Sequence, residues 1–377
     1  MKLLTNYINS LPKYTVLLAL IVFMFLGLTS VVARGMLVIL FIAIIVSIAD
    51  CIKYSHRSEV GAILILLIVN SILFIFGDVG RHSGFYANIV LNLGIFFFSY
   101  NLSEKGRLSE KEIVVTYILL LAATSYRFFV EREEMLFERN GNQGTINLAY
   151  AFVIYMPFVF YIRNKILSIL LVLFALFMVL NGAKRGAIFI FVISALYYIY
   201  IVFVKQATKY KFLYVIIAVI TLFAAFYLMK DVYLNNEYLQ SRLDSTLEGN
   251  TNGRDYIFRT IFNKWTTESN FFRFLFGYGF CSSIDIAGNR AHNDWLEMMA
   301  TGGLLGEVVY ILYWIKLLNA QLYIKDELDK KAVTLILIIL LLKSFFSMSY
   351  CSVENMAIFL LLGFLTGRNR LRRLAKQ

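Results

Sequence analysis

The chain has 377 residues, 60% of them hydrophobic and only 16% charged, with a mean hydropathy of +0.71. A water-soluble domain of this length could not keep its surface hydrated with so few charges, so that class is excluded. The formal charge of +12 gathers into no compact basic stripe with interleaved aromatics. Nucleic acid is therefore not an expected partner, and the charge fits basic residues retained on the cytoplasmic side of a membrane.

In chain order, apolar runs fall at 14–33, 36–52, 60–77, 85–100, 113–130, 145–162, 166–180, 186–204, 212–229, 296–318, 332–348 and 353–366. Most are long enough to cross roughly 30 Å of hydrocarbon, and none alternates as barrel strands do. The expected fold is an all-α polytopic membrane protein with about a dozen transmembrane helices, the first run serving as a retained anchor. Three regions follow: spans 1–9 over 1–229, a large outer loop over 230–295, and the last three spans with a basic tail over 296–377.

Basic residues set the orientation. With the N-terminus inside, the inner loops and tail hold Lys53, Lys105, Arg107, Lys111, Arg163, Lys165, Lys205, Lys325, Lys330, Lys331, Arg368, Arg370, Arg372 and Arg373. The short outer loops hold only Arg34, Arg81, Arg132, Arg139, Lys184 and Arg185. That asymmetry places both termini in the cytoplasm. The 230–295 segment is then outside, and it is longer than a connection requires, which is the mark of a functional loop. Within it, 252–267 reads as an amphipathic helix with Asn252 as its N-cap and Ile257, Phe258, Ile261, Phe262 and Trp265 on one face. A helix lying on the bilayer by that face would turn Arg254 toward a membrane-facing groove.

Of three histidines, His56 reads as a solvated cytoplasmic residue and His82 as part of a short outer loop. His292 opens the tenth apolar run, at the lipid–water boundary, where a near-neutral imidazole can accept a hydroxyl proton. Gly303 follows eleven positions later, about three helical turns below on the same face. With Gly302 and Gly306 it leaves a bare stripe for a second helix or a polyprenyl chain. Asp294 and Glu297 are the carboxylates that could orient the imidazole, and Lys343, Asn70 and Asn92 are polar groups within spans. The acidic groups form no Asp-x-Asp pair, the three cysteines (Cys51, Cys281, Cys351) form no CxxC, and no metal or other cofactor is expected. Cys281 and Cys351 share the outer side. The Asp326-Glu327-Leu328-Asp329 run reads as a charged inner loop.

The sequence Gly277-Tyr278-Gly279, then His292-Asn293, then Gly302-Gly303-Leu304-Leu305-Gly306 resembles the signature of the O-antigen polymerase and O-antigen ligase superfamily. Gly253-Arg254 resembles the family's arginine at the start of the large outer loop. Asn181-Gly182-Ala183-Lys184-Arg185-Gly186 resembles its outer Ser-Arg-Gly turn, with Lys184 in place of the serine; Phe274-Leu275-Phe276 precedes the Gly-x-Gly where proline is usual. The resemblance implies a GT-C-like fold whose large periplasmic loop carries short amphipathic helices. It implies a metal-independent glycosyltransferase of the inner membrane that polymerises undecaprenyl-pyrophosphate-linked repeat units at a periplasmic site. His292 would be the general base, and Arg185 and Arg254 the diphosphate ligands, supported by Asn293, Asp294, Gly303 and Lys184. Membrane lipids and a chain-length regulator protein are the other partners implied. A ligase that moves the glycan to lipid A core shares this donor chemistry, and a lipid-linked sugar flippase is the reading from another class.

Overall fold

In the computed structural model the described residues are 2–27, 30–54, 58–77, 79–138, 144–205, 211–249, 251 and 253–375; His56, Arg139 and the expected cap Asn252 fall outside them. The described residues are helical throughout, joined by turns and loops, without a strand. The helices are α1 (Lys2–Leu26), α2 (Val31–Tyr54), α3 (Ser58–Ile75), α4 (Val79–Glu104), α5 (Glu110–Glu138), α6 (Ala149–Ile154), α7 (Lys165–Asn181), α8 (Arg185–Ile199) and α9 (Lys211–Leu234). Four short helices follow, α10 (Glu237–Leu247), α11 (Arg254–Thr266), α12 (Phe271–Phe276) and α13 (Ser283–Ala287), before α14 (Asp294–Leu322), α15 (Glu327–Phe346) and α16 (Met356–Leu374). Among the described residues five stretches are long and apolar enough to cross a membrane: Val31–Ile52, His82–Glu104, Glu110–Glu138, Arg185–Val202 and Asp294–Leu322. This is consistent with an α-helical membrane protein.

Apart from the last run, which opens with a 3-10 turn, Val353–Asn355, before α16, three of the largely helical apolar runs are not plain rods. The run at 145–162 forms α6 and then a 3-10 turn, Met156–Tyr161, because Pro157 lacks the N–H that an α-helix would use. The run after Arg185 passes into a π-type turn, Tyr200–Lys205. The third, α14, breaks at Gly303, whose backbone (φ 58, ψ −151) is not helical. His82 belongs to α4 rather than to an outer loop. It is buried at a kink (φ −126, ψ 16), with Phe280 edge-on to its ring.

The bundle is built on α4 and α16, which lie against each other along much of their length. Nearly every residue of α16 from Met356 to Thr366 is buried, as is the run of α4 from Ile95 to Tyr100. Two glycines allow the approach: a Cβ at Gly363 would meet Ser99 Oγ and the Phe96 carbonyl, and one at Gly367 the Tyr100 carbonyl. In a bilayer, where lipid is as apolar as leucine, such backbone proximity is what holds helices together. Around this pair, α2 and α3 pack on α4, α1 on α2 and α5, α14 on α3 and α15, and α8 on α15.

The basic tail is not a loose segment. It continues α16, with Arg368 paired to Glu110 at 2.9 Å and to Asp329, Arg370 to Glu104 at 2.7 Å, and Arg372 to Asp326 at 2.9 Å and Asp329 at 3.0 Å. The 326–329 run is likewise no solvated loop: Asp326 caps α15, and Asp329 is fully buried beside Arg368 and Tyr161. A buried carboxylate is stable only when paired and hydrogen-bonded, which explains why the tail folds back as helix.

Gly363→Ala is expected to lower the melting temperature of the detergent-purified protein, since filling a tight contact costs about 1–3 kcal/mol. Gly35→Ala, on α2 with nothing within 4 Å of the new methyl, should leave it unchanged or slightly raised.

Candidate active site

A cavity of about 210 Å³ lies where the early turns of α4 and α6, the 181–186 turn, α11, the residues before α14 and the 347–354 loop converge. Its wall carries Lys184, Arg254, Arg290, His292 and Glu354, together with Asn88, Asn147 and Tyr150. Each charged group arrives by a separate local device.

The 181–186 turn delivers Lys184. Gly182 ends α7 packed on Ala149, its carbonyl accepting from Ile146 N at 3.0 Å, and Ala183 takes a left-handed φ of 47°. Lys184 then sits in extended backbone just before α8 and faces the cavity. Arg185, one residue on, is not among the residues that line the cavity. It is close enough to Arg242 and Arg254 for their charges to be felt, so it belongs to the surrounding cationic field.

Arg254 is placed by the packing of its helix against the residues around His292. Ile257 and Ile261 of α11 are buried against Ala291 and Ala300, with Leu296 and Phe258 alongside, while Phe262 is exposed. The same small cluster holds Ala291, the neighbour of His292, so one apolar contact brings the guanidinium and the imidazole to one cavity. Arg254 donates one N–H to the Phe346 carbonyl at 2.9 Å, leaving most of its planar fork for a ligand. Trp265 Nε1 bonds to the Phe274 carbonyl at 3.1 Å and its ring stacks on Phe274, which ties the far end of α11 to α12.

His292 occupies a left-handed backbone conformation, φ 50, a strained state for a non-glycine residue that costs on the order of 1–3 kcal/mol. Both flanks are fixed. Ala291 N–H donates to the buried Glu297 carboxylate at 3.2 Å, and Glu297 also accepts from Ser283 Oγ at 2.6 Å. Asn293 caps α14, its side chain accepting from Leu296 N at 3.1 Å. Glu297 and Asp294 therefore do not orient the imidazole as expected; they hold the backbone and the loops around it. Burial, then the charges of Arg254, Lys184 and Arg290, push the His292 imidazole down to about 4. It is neutral at physiological pH, with a ring nitrogen free to accept a proton. Lys184 is pushed down to about 8, first by burial and then by Arg254 and Arg242.

Asp294 is fully buried. Its carboxylate accepts from Ser349 N at 2.8 and 3.0 Å, from Ser349 Oγ, and from Tyr310 OH at 2.9 Å. Asn92 donates to the Tyr350 and Ser352 carbonyls at 3.2 and 2.6 Å, and Lys343 Nζ to Asn355 Oδ1 at 2.8 Å while lying 5.0 Å over the Tyr150 ring. Three polar residues within helices thus serve to fix the 347–355 loop, which supplies the cavity floor and Glu354. Asn70 bonds, among the described residues, back to the Leu66 carbonyl.

Gly303 has a different task from the one expected. The helix is broken there, and His292 precedes α14, so the two do not share one helical face. The break exposes the Ala300 and Thr301 carbonyls, which accept from Tyr278 N at 2.8 Å and Gly279 N at 3.2 Å. A Cβ on Gly277 would lie 2.6 Å from Gly303 N and from the Thr301 carbonyl oxygen. The two glycine motifs are halves of one backbone contact, while the neighbouring Gly302 faces Leu73 of α3, so a second helix does approach this part of α14.

Arg290 and Glu354 were not singled out in the sequence. Arg290 stacks 4.1 Å over Phe85 and makes no ion pair among the described residues; its only sequence signal is its place two residues before His292. Glu354 likewise has no ion-pair partner among the described residues, and nothing in its local sequence separates it from a solvated acid. Cys281 and Cys351 are buried and free, Cys351 on the cavity wall. Among the described residues no three His, Cys, Asp or Glu side chains are grouped to hold a metal ion. No family model matches the chain, and no curated protein matches it.

Asp294→Ala leaves three buried donors unpaired and is expected to cost about 3 kcal/mol or more, seen as a melting temperature lowered by several degrees in detergent. Asp294→Asn, which keeps one acceptor oxygen, should lose less.

Proposed function

We propose that the chain is a metal-independent membrane glycosyltransferase that polymerises undecaprenyl-pyrophosphate-linked oligosaccharide repeats of a surface polysaccharide. It would work on the periplasmic face of a bacterial inner membrane, with about twelve spans of GT-C type and both termini in the cytoplasm. The observation that carries this reading is the cavity wall: Lys184, Arg254 and Arg290 around a neutral His292, with Glu354 the only carboxylate among the lining residues. Three cations against one carboxylate leave a net of two positive charges. A diphosphate esterified at both ends carries one negative charge on each phosphorus, so the charges match.

In the reaction proposed, an acceptor sugar hydroxyl attacks the anomeric carbon of the donor. The new C–O bond forms as the bond to the diphosphate breaks, and that electron pair leaves with the polyprenyl diphosphate. Negative charge grows on the leaving group, where the cations stabilise it. Arginine forks match phosphate oxygens in a way that an ammonium does not. His292 takes the hydroxyl proton as general base. The cavity volume, below the roughly 300–1,000 Å³ of sites for drug-sized ligands, suits the reacting groups, while the glycan and the prenyl chain extend beyond it. Glu354, Asn88 and Asn147, which line the same cavity, offer hydrogen-bond acceptors and donors to sugar hydroxyls.

Binding itself tunes the base. Burial, the first cause of the low His292 value, persists when the diphosphate arrives, but the cationic share is offset, so the imidazole rises from about 4 and the Lys184 ammonium is stabilised above about 8. In kcat/KM, which reports the free enzyme, activity should be lost as pH falls through about 4, where His292 becomes protonated, and as pH rises through about 8, where Lys184 loses its charge. Both limbs should move to higher pH in kcat. Lys184→Met should abolish the alkaline limb.

His292→Ala is expected to slow transfer by about 10²–10⁴-fold and to collapse the polysaccharide ladder to single repeats in cells, with the protein still inserted. A normal ladder would remove the base from the mechanism. Loss of all attached glycan would indicate the ligase instead, and transport of lipid-linked repeats without polymerisation by the purified protein would indicate a flippase. Arg254→Lys should fail as well, because charge without the fork is not equivalent.

A further inference from the structure

A second and larger hollow, about 560 Å³, lies at the other end of α4. Phe85 and Asn88 of α4 line the cation-rich cavity, whereas Phe98, Asn101 and Leu102 line this one. Sixteen residues from Phe85 to Asn101 span about 24 Å of helix, most of the thickness of a bilayer core. The two hollows therefore open toward opposite faces of the bundle.

The second hollow is a groove between α1, α2 and α4 with a polar end and an apolar end. Ile39, Ile42, Ala43 and Val46 of α2 line its apolar length, and Ile42 and Val46 are each 57% exposed. From Ile39 to Asp50 it follows α2 for about 16 Å, the scale of an extended acyl chain. Asp50, Lys13, Lys105 and Arg107 stand together at the other end. Their charges do not cancel. Asp50 is neutralised by Lys105 at 2.9 Å, and Lys13 is held by Glu112 at 2.5 Å and by the Arg107 carbonyl at 2.8 Å. The Arg107 side chain is exposed and meets no carboxylate among the described residues. An uncompensated guanidinium thus tops a greasy channel that is open on its side.

We propose that this groove holds one anionic glycerophospholipid of the cytoplasmic leaflet. Its headgroup phosphate would be bound by Arg107 beside Lys13 and Lys105, and one acyl chain would lie along Ile39 to Val46. Basic pockets between helices on the cytoplasmic side select anionic headgroups, each basic residue near the surface contributing on the order of fivefold in binding. A zwitterionic lipid would fill the apolar length equally well, but its own cation would meet Arg107.

The test uses the full-length protein in nanodiscs of phosphatidylcholine containing phosphatidylglycerol, with retained lipids counted by native mass spectrometry. Wild type is expected to retain one phosphatidylglycerol per chain in preference to phosphatidylcholine. Arg107→Gln, an exposed substitution, should reduce that retention about fivefold, and Ile42→Trp should displace the lipid by filling the channel. Both variants are expected to keep the wild-type melting temperature in lipid-free detergent. Equal retention of both lipids by wild type, or undiminished phosphatidylglycerol on Arg107→Gln, would overturn the headgroup assignment; a lipid kept by Ile42→Trp would overturn the groove. The readout is lipid mass, so it stands or falls separately from glycosyl transfer.

Discussion

The carboxylate of Asp294, buried inside the bundle, joins the start of α14 to the loop that follows α15. It accepts the backbone and hydroxyl hydrogens of Ser349 and the hydroxyl of Tyr310, and much of the cavity hangs on that junction. On one side, two residues back, is His292; on the other is the loop that carries Ser347, Cys351 and Glu354. A carboxylate removed from water is costly unless its oxygens are satisfied, so the loop has little freedom to drift. The rigidity extends outward through Asn92 and Lys343, whose side chains fix the same loop.

Around that fixed frame the electrostatics are left unfinished. Three cations line the cavity with one carboxylate among them, and Arg185 and Arg242 add positive field from just outside. Such like-charge clustering destabilises the empty protein, and an arriving anion relieves it. Burial first, and then the same repulsion, hold the His292 imidazole well below its ordinary range, and a bound anion would offset the second of these. Strain at φ 50 in His292 has the same character: a local cost that the surrounding contacts of Ala291 and Asn293 sustain.

Much of the helix inventory could be read directly, since a run of apolar residues has few alternatives to a helix. His292, Arg254 and Lys184 were also legible, because unusual residue types stood at a predicted boundary or beside glycines. Arg290 and Glu354 were not, since an arginine in a polar loop and a glutamate after a span carry no local mark of their cavity. Arg185 lies off the cavity wall although it directly follows Lys184, a difference that residue type and position alone do not carry. The α11 stripe reads as amphipathic, but apolar periodicity states that a face is buried and is silent about what buries it: Ile257 and Ile261 pack on Ala291 and Ala300, whereas Phe262 of the same stripe is exposed. The glycines at 277 and 303 were each visible, whereas their mutual contact depended on a break in α14 that no periodicity announces.

By itself the sequence determined that this chain is helical and apolar, and that its polar loop beyond α9 carries a lone histidine and a nearby arginine. Those properties follow from local composition: hydropathy, period and residue type act within a few turns. Only the tertiary structure decided which cations face the cavity, that Asp294 and Glu297 hold loops rather than the imidazole, and that the tail locks onto Asp329. Most of these depend on groups far apart in the chain meeting in space, Asp294 with Ser349 55 residues on and Arg368 with Asp329 and Glu110 at 39 and 258 residues. Whether a buried charge is a clamp or a reagent is set by what it meets there.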